Sequence, residues 1–168
     1  MIGVTMAFLL LAAGLLQDVL AGPLWLGQAK APVLLAVALY YALHHERWAM
    51  LTAVVVAGIL QDSISLMPIG YSSFCFCLLG LAVRNLRGIL FKHSMGTAAL
   101  VGGLSGALAA GFLQGMLVMG TNYETGPWWW VIWRMAGSAV LGMVAFPVAW
   151  RIARSLDQLA GNLEPQEA

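Results

Sequence analysis

Charged residues are the scarcest class in this sequence. They make up 9% of the 168 residues, whereas 61% are hydrophobic, and the mean hydropathy is +0.87. A soluble domain carries about 25% charged residues, so this chain has too little polar surface to face water on all sides. The net charge of +1, without a basic cluster, also argues against nucleic acid as a partner. The composition therefore predicts an integral membrane protein.

Cysteine and histidine are also scarce, with two and three residues. Cys75 and Cys77 alternate within an apolar run, where they cannot easily bond to each other, and two cysteines are too few for a zinc site without nearby histidines. His44 and His45 are adjacent, so they cannot form the helical pair that binds zinc. Catalytic motifs such as HExxH and GxSxG, and glycine-rich phosphate loops, do not occur. We therefore expect no catalytic residues, no metal and no cofactor, and we expect both cysteines to pack against lipid or another helix.

Six apolar stretches are separated by charges and turn residues. A crossing helix needs about 20 residues, and the second and fourth stretches are shorter, so we expect turn residues or a thinner bilayer to accommodate them. The pattern predicts an all-α integral membrane protein with six transmembrane helices as three helix hairpins in residues 1–156, followed by a short polar cytoplasmic tail, 157–168. The stretches are Ile2–Leu20, Ala31–Leu43, Trp48–Leu66, Tyr71–Val83, Met95–Met119 and Trp128–Trp150.

The basic residues predict the orientation, because Lys and Arg are retained on the cytoplasmic side. With the N-terminus inside, cytoplasmic segments hold six of the eight basic residues, external loops hold only Lys30, and Arg134 lies in the last span. The tryptophans at 128–130 then lie at the outer boundary, where aromatic residues anchor helices. Both termini are therefore expected in the cytoplasm.

A short repeat occurs in the first, third and fifth spans. Its copies are AGLLQD at 13–18, AGILQD at 57–62 and AGFLQG at 110–115. The three spans point the same way, which favours duplication of a helix hairpin, although chance matches are common in apolar sequences. Small residues allow close approach of helices. Gly111 and Gly115 are thus expected to pack within the protein or to form a docking face for a partner helix.

Three ionisable residues lie within the predicted spans: Asp18, Asp62 and Arg134. Such residues are costly in a membrane and mark functional or structural sites. We expect an ion pair between Arg134 and one aspartate. Alternatively, Asp62 accepts backbone N–H groups at the turn that begins at Pro68. Proton relay or substrate recognition is the less favoured interpretation.

The segment Gly58–Gly70 carries a resemblance to a known family. A glycine is followed four residues later by Asp62, then by a serine, and then by a turn with Pro68 that ends at Gly70, eight residues after the aspartate. This spacing resembles the rod-shape-determining protein MreD family. Further similarities are Ala31-Pro32 at the second span, Arg84, Arg87 and the segment Pro147–Arg151.

The resemblance implies a non-enzymatic scaffold of the bacterial cell-elongation complex in the inner membrane, with Gly58, Asp62, Pro68 and Gly70 as structural or interface residues. The implied partners are MreC and, through it, MreB, RodA and a class B penicillin-binding protein, the transpeptidase that works with RodA. The alternative is a substrate-binding membrane subunit of an energy-coupling-factor transporter, since the two folds are thought to be similar. A co-purifying MreC favours the scaffold, and a pair of ATPases favours the transporter.

The predicted orientation can be tested with single cysteines. Because the charge bias places the C-terminus inside, Ala168→Cys should resist a membrane-impermeant thiol reagent in intact cells, whereas Tyr123→Cys in the external turn should react. Labelling of Ala168→Cys from outside would reverse the orientation.

Overall fold

The computed structural model is all-helical. It describes residues 2–19, 31–65, 68–90, 95–121, 127–159 and 161, without the side chains at 87–90, 95, 117 and 119–121. Six helices occur in these ranges: α1 (Ile2–Val19), α2 (Val33–His44), α3 (Arg47–Ser65), α4 (Tyr71–Leu90), α5 (Met95–Thr121) and α6 (Trp128–Leu159). The predicted helical class is thus confirmed, and each helix overlaps one predicted stretch. Lys30, the external turn with Tyr123, and most of the predicted tail, including Ala168, lie outside the described residues.

Four of the six helices are long and apolar enough to cross a membrane: α1, α3, α5 and α6. The other two, α2 and α4, contain shorter apolar segments, Val33–His44 and Tyr71–Leu86. The structure extends two helices beyond the predicted spans, α4 to Leu90 and α6 to Leu159. The predictions ended at charged residues, but a charge ends only the apolar segment, and the helix itself continues.

The shortest helix, α2, lies at the centre of the bundle. Its residues Val33 to Leu43 are all buried, and it packs against α1, α3, α4 and α6. A helix that is apolar on every side is typical of a buried core element. At 12 residues it is about 18 Å long, against a hydrocarbon core of about 30 Å. Because protein surrounds it, its length does not have to match the lipid, which accounts for the short second stretch in the sequence.

Glycines bring α5 and α6 into backbone contact. A Cβ atom on Gly102 would overlap the carbonyl oxygen of Gly142, and a Cβ atom on Gly142 would overlap that of Gly102. One turn further along α5, a Cβ on Gly106 would lie 2.8 Å from the carbonyl oxygen of Ser138. The Ser138 hydroxyl donates a 3.0 Å hydrogen bond back to the carbonyl of Gly106. Close packing and a hydrogen bond between helices thus stabilise this pair together.

The close backbone contact between α5 and α6 does not extend to Gly111 and Gly115. A Cβ on Gly111 would lie 2.8 Å from Cε of Met135, the mobile end of a flexible side chain, and Gly115 is exposed with no described atom within 4 Å of its Cβ position. Of the two roles expected for these glycines, packing within the protein is thus not observed for Gly115 among the described residues, and a docking face for a partner helix stays a prediction. The four-residue spacing continues along α5 beyond the part that faces α6 closely.

Alanine substitutions should separate these two environments. Alanine favours a helix over glycine by about 1 kcal/mol, so Gly115→Ala should leave thermal unfolding in detergent unchanged or raise its midpoint. Gly102→Ala should lower the midpoint in spite of this gain, because overpacking typically costs about 1–3 kcal/mol. Equal midpoints for the two variants would refute the backbone contact at Gly102.

Candidate functional site

The Asp62 carboxylate connects the end of α3 to the start of α4. It is buried, with 1% exposure. Its Oδ2 accepts a 2.7 Å hydrogen bond from the backbone N–H of Gly70, and its Oδ1 accepts a 3.0 Å bond from the N–H of Ser72. These N–H groups at the start of a helix have no partner within the helix, and a carboxylate there is also favoured by the helix dipole. Asp62 therefore caps α4 from the preceding helix.

The other residues of the segment bring this carboxylate into place. A Cβ atom on Gly58 would overlap the backbone of Ser73, so only glycine allows α3 and α4 to approach so closely. Gly70 has a φ of 111°, a conformation that favours glycine. Pro68 is exposed, just before the turn. The spacing from Gly58 to Gly70 is thus the pattern of a tight, capped connection between two helices.

The predicted ion pair does not form. Asp18 is exposed on α1, Arg134 is exposed on α6, and the carboxylate of Asp62 is bonded to backbone groups. Within the described ranges, the one ion pair joins His45 and Asp157. The alternative expected for Asp62, acceptance of N–H groups at the turn, is the geometry observed. The Asp62 carboxylate, in the last turn of α3, lies beside the N-terminus of α4. The backbone N–H groups there bind the carboxylate in place of Arg134.

Asp157 is the centre of a second polar site, at the opposite end of the bundle from Asp62. It is fully buried, and its Oδ2 accepts hydrogen bonds of 3.0 Å from the hydroxyl of Tyr40 and from Nε2 of His45. The hydroxyl of Thr5 on α1 lies 3.3 Å from Oδ1. The guanidinium of Arg84 on α4 donates a 2.9 Å hydrogen bond to the backbone carbonyl of His45. These five residues, here termed the His45–Asp157 cluster, join α1, α2, α4 and α6.

The sequence does not predict this cluster, because the polar residues that follow Asp157 place it in the predicted tail, 157–168. Asp157 lies instead within α6, two residues before the helix ends. The helical spacing of the sequence indicates that α6 continues to Asp157. One face of the helix consists of buried residues at intervals of three or four: Phe146, Ala149, Ala153 and Asp157. The exposed residues Arg151 and Arg154 lie between them in sequence and interrupt the apolar stretch, so the prediction ended at Trp150.

Glutamines of the repeat meet at the same end of the bundle as Asp62. Gln17 is buried, and its side-chain oxygen accepts a 3.0 Å hydrogen bond from the backbone N–H of Leu34, in the first turn of α2. Its amide nitrogen donates to Oε1 of Gln61, whose own nitrogen donates to the hydroxyl of Ser65 at 2.9 Å. Gln17 thus caps α2 as Asp62 caps α4. Sequence reasoning found the repeat but could not show that its glutamines converge.

A cavity of about 180 Å³ lies between these glutamines and the α5–α6 pair. All three repeat glutamines, Gln17, Gln61 and Gln114, contribute to its wall, together with Arg134. Gln61 and Gln114 are half-buried and Arg134 is exposed, so the cavity opens to the surroundings. The remaining polar side chains in its wall are Ser65 and Ser138.

The polar sites hold helices together, and their carboxylates bind groups of the protein itself. No group of three or more His, Cys, Asp and Glu side chains that could hold a metal occurs in the described part of the chain. Cys75 is buried and Cys77 half-buried, and both are free. Together with four long apolar helices, these features define a helical membrane protein whose polar side chains connect its helices.

Comparison with known families agrees with this class. The family model of the rod shape-determining protein MreD matches residues 1–150, and the chain therefore belongs to the MreD family, a family of membrane proteins that determine cell shape and are generally not enzymes. This confirms the resemblance noted at Gly58–Gly70. Neither the curated proteins nor the solved structures contain a significant match to the chain.

Removal of the Asp62 cap should destabilise the fold. Asp62→Leu leaves the buried N–H group of Ser72 without an acceptor, which costs about 1–3 kcal/mol, and the half-buried N–H group of Gly70 loses its acceptor as well. Asp62→Asn retains one oxygen acceptor and should be milder. Ser63→Ala, an exposed neighbour, is the control. The measurement is thermal unfolding in detergent, and an unchanged midpoint for Asp62→Leu would contradict the capping role.

Substitution of Asp157 should be costly as well, although the residue lies near the end of the chain. Asp157→Leu removes the acceptor for Tyr40 and His45 in a buried site, with an expected loss of about 1–3 kcal/mol or more. The exposed neighbour Gln158→Leu should have little effect. If both variants unfold at the same temperature, the His45–Asp157 cluster does not stabilise the protein.

Proposed function

We propose that this protein is a non-enzymatic scaffold of the bacterial rod complex, a six-span protein of the inner membrane that binds MreC. The observation that carries the proposal is the MreD match over residues 1–150, which takes in α1 to α5 and most of α6. Through MreC, the chain is linked to MreB, RodA and a class B penicillin-binding protein. It thereby helps to control cell shape and lateral peptidoglycan synthesis.

Three observations support six spans with both termini in the cytoplasm. Thr5 near the start of α1 and Asp157 near the end of α6 meet in one cluster, so these two positions lie at the same end of the bundle. Arginines are concentrated at this same end, as expected for the cytoplasmic side. Arg84 lies in the cluster, and Arg47 follows the turn that contains His45. Arg151 and Arg154 come shortly before Asp157 on α6. At the start of α6, Trp128, Trp129 and Trp130 are exposed, as expected at the outer boundary.

The sides of the bundle suit contact with lipid and with a partner helix. Apolar side chains on α1 are exposed at intervals of three or four residues from Val4 to Val19, and α5 and α6 expose similar rows. Gly115 on α5 has no described atom within 4 Å of its Cβ position, as is also true of Gly3 at the start of α1. Small residues favour close helix contacts in membranes, so Gly115 is a position on α5 where a helix of MreC can approach the backbone closely without repacking the fold.

Affinity purification in mild detergent tests the function. A tagged chain, expressed at native level in its own host, should retain MreC, identified by mass spectrometry. Gly115→Leu should reduce MreC recovery without lowering the unfolding temperature, and Leu108→Ala on the exposed face of α5 is the control. Recovery of a pair of ATPases instead of MreC would overturn the scaffold in favour of the transporter subunit.

If Gly115→Leu loses MreC and also unfolds at a lower temperature, the loss is due to the damaged fold, and Gly115 is not shown to lie in the contact surface. In that case MreC binding itself would stand, and the docking surface would have to be sought on α1 or α6.

A further inference from the structure

The cavity lined by the three repeat glutamines and Arg134 has more unpaired hydrogen-bond donors than acceptors. Of its polar side chains, Gln17 and Gln61 bond to each other, to Leu34 and to Ser65, and Ser138 donates to Gly106. The amide of Gln114 and the guanidinium of Arg134 have no partner among the described residues. Arginine has five N–H donors and no acceptor. The groups still free to bind in this cavity are therefore predominantly donors.

The charge in the wall is positive, and no acidic side chain in the described part of the chain forms an ion pair with it. No Asp or Glu is among the residues in the wall, in which Arg134 is the one charged side chain. Of the acidic residues that follow the wall glutamines in sequence, Asp18 is exposed on α1 and Asp62 is bonded to Gly70 and Ser72, while Glu124, the one nearest to Gln114, lies outside the described residues. A donor-rich site with a positive charge is complementary to an anion with several acceptor oxygens.

The volume limits the size of that anion. A cavity of about 150 Å³ holds one benzene molecule, whereas sites for drug-sized ligands occupy about 300–1,000 Å³. At about 180 Å³, this cavity has space for one phosphate with a few attached atoms. We propose that it binds the phosphate of a phosphate ester, with Arg134 and Gln114 as the principal ligands.

The surroundings favour a membrane phospholipid as the source of this phosphate. Arg134 lies on the exposed side of α6, less than two turns after Trp128 and one residue after Trp133, and both tryptophans are exposed. Tryptophans in this arrangement mark the level of lipid headgroups, and an arginine at this depth can reach a headgroup phosphate. A soluble phosphate ester has the same chemistry, and the experiment must separate the two.

Native mass spectrometry of the full chain in a neutral detergent can measure this binding. The chain is titrated with phosphatidylglycerol, with diacylglycerol as the lipid that lacks a phosphate, and with glycerol 3-phosphate as the ester that lacks acyl chains. We expect phosphatidylglycerol to bind and diacylglycerol not to bind. Binding of glycerol 3-phosphate that depends on Arg134 would support the same site with a soluble ligand.

The variants show where the phosphate binds. Arg134→Gln should weaken binding of phosphatidylglycerol about tenfold or more, the effect of losing a hydrogen bond to a charged group. Arg134→Lys should restore part of the affinity, because it retains the charge but not the fork of donors. Gln114→Glu, which places a negative charge in the wall at nearly constant volume, should weaken binding as well.

The matched control is Arg154→Gln, which removes the same charge from an exposed position near the other end of α6. It should bind phosphatidylglycerol like the unmodified chain. The proposal is overturned if diacylglycerol binds equally well, if Arg134→Gln retains full affinity, or if Arg154→Gln weakens binding as much as Arg134→Gln. The unfolding temperature of each variant is measured as well. A variant that no longer folds is set aside, and the remaining variants decide the test.

Discussion

The backbone groups at the ends of the helices impose the strongest constraint on this structure. In a membrane, an N–H group without an acceptor costs several kcal/mol, and the first turn of every helix has such groups. Two helices, α2 and α4, begin beside other helices, and each receives a side-chain acceptor from the helix before it. Gln17 of α1 bonds to the first turn of α2, and Asp62 of α3 bonds to the first residues of α4.

This arrangement explains why polar residues occur in such an apolar chain. The repeat places Gln and Asp side by side in α1 and again in α3, and one residue of each pair caps the next helix, Gln17 in the first and Asp62 in the second. Gln61 then connects to Gln17, so the two caps are adjacent in space. At the other end, the His45–Asp157 cluster ties α6 to the end of α2. The core helix α2 is thus bonded to its neighbours at both ends.

Much of this fold could be predicted from the residues, because apolar periodicity and charge dominate a membrane sequence. The six helices and the capping alternative for Asp62 follow from these signals. The glycines of α5 that face α6 are determined by the angle at which the two helices cross. The regular spacing of glycines in the sequence therefore does not show that Gly102 and Gly106 are packed and Gly115 is not. The contact of Asp157 with His45 spans more than a hundred residues, and no local pattern specifies such a pair. The cavity forms only where glutamines from three different helices meet, and the sequence alone does not show that they meet.

Hydrogen exchange at the start of α2 tests the central claim most directly. If α2 is the buried core and Gln17 caps it, the amides from Leu34 to Leu43 should exchange more slowly than those of α1, whose outer face is exposed. Gln17→Leu should accelerate exchange at Leu34 and the following residues of the first turn, and leave the end of α2 near Tyr41 protected. Exchange in α2 as fast as in α1, or a first turn that does not respond to Gln17→Leu, would contradict the account.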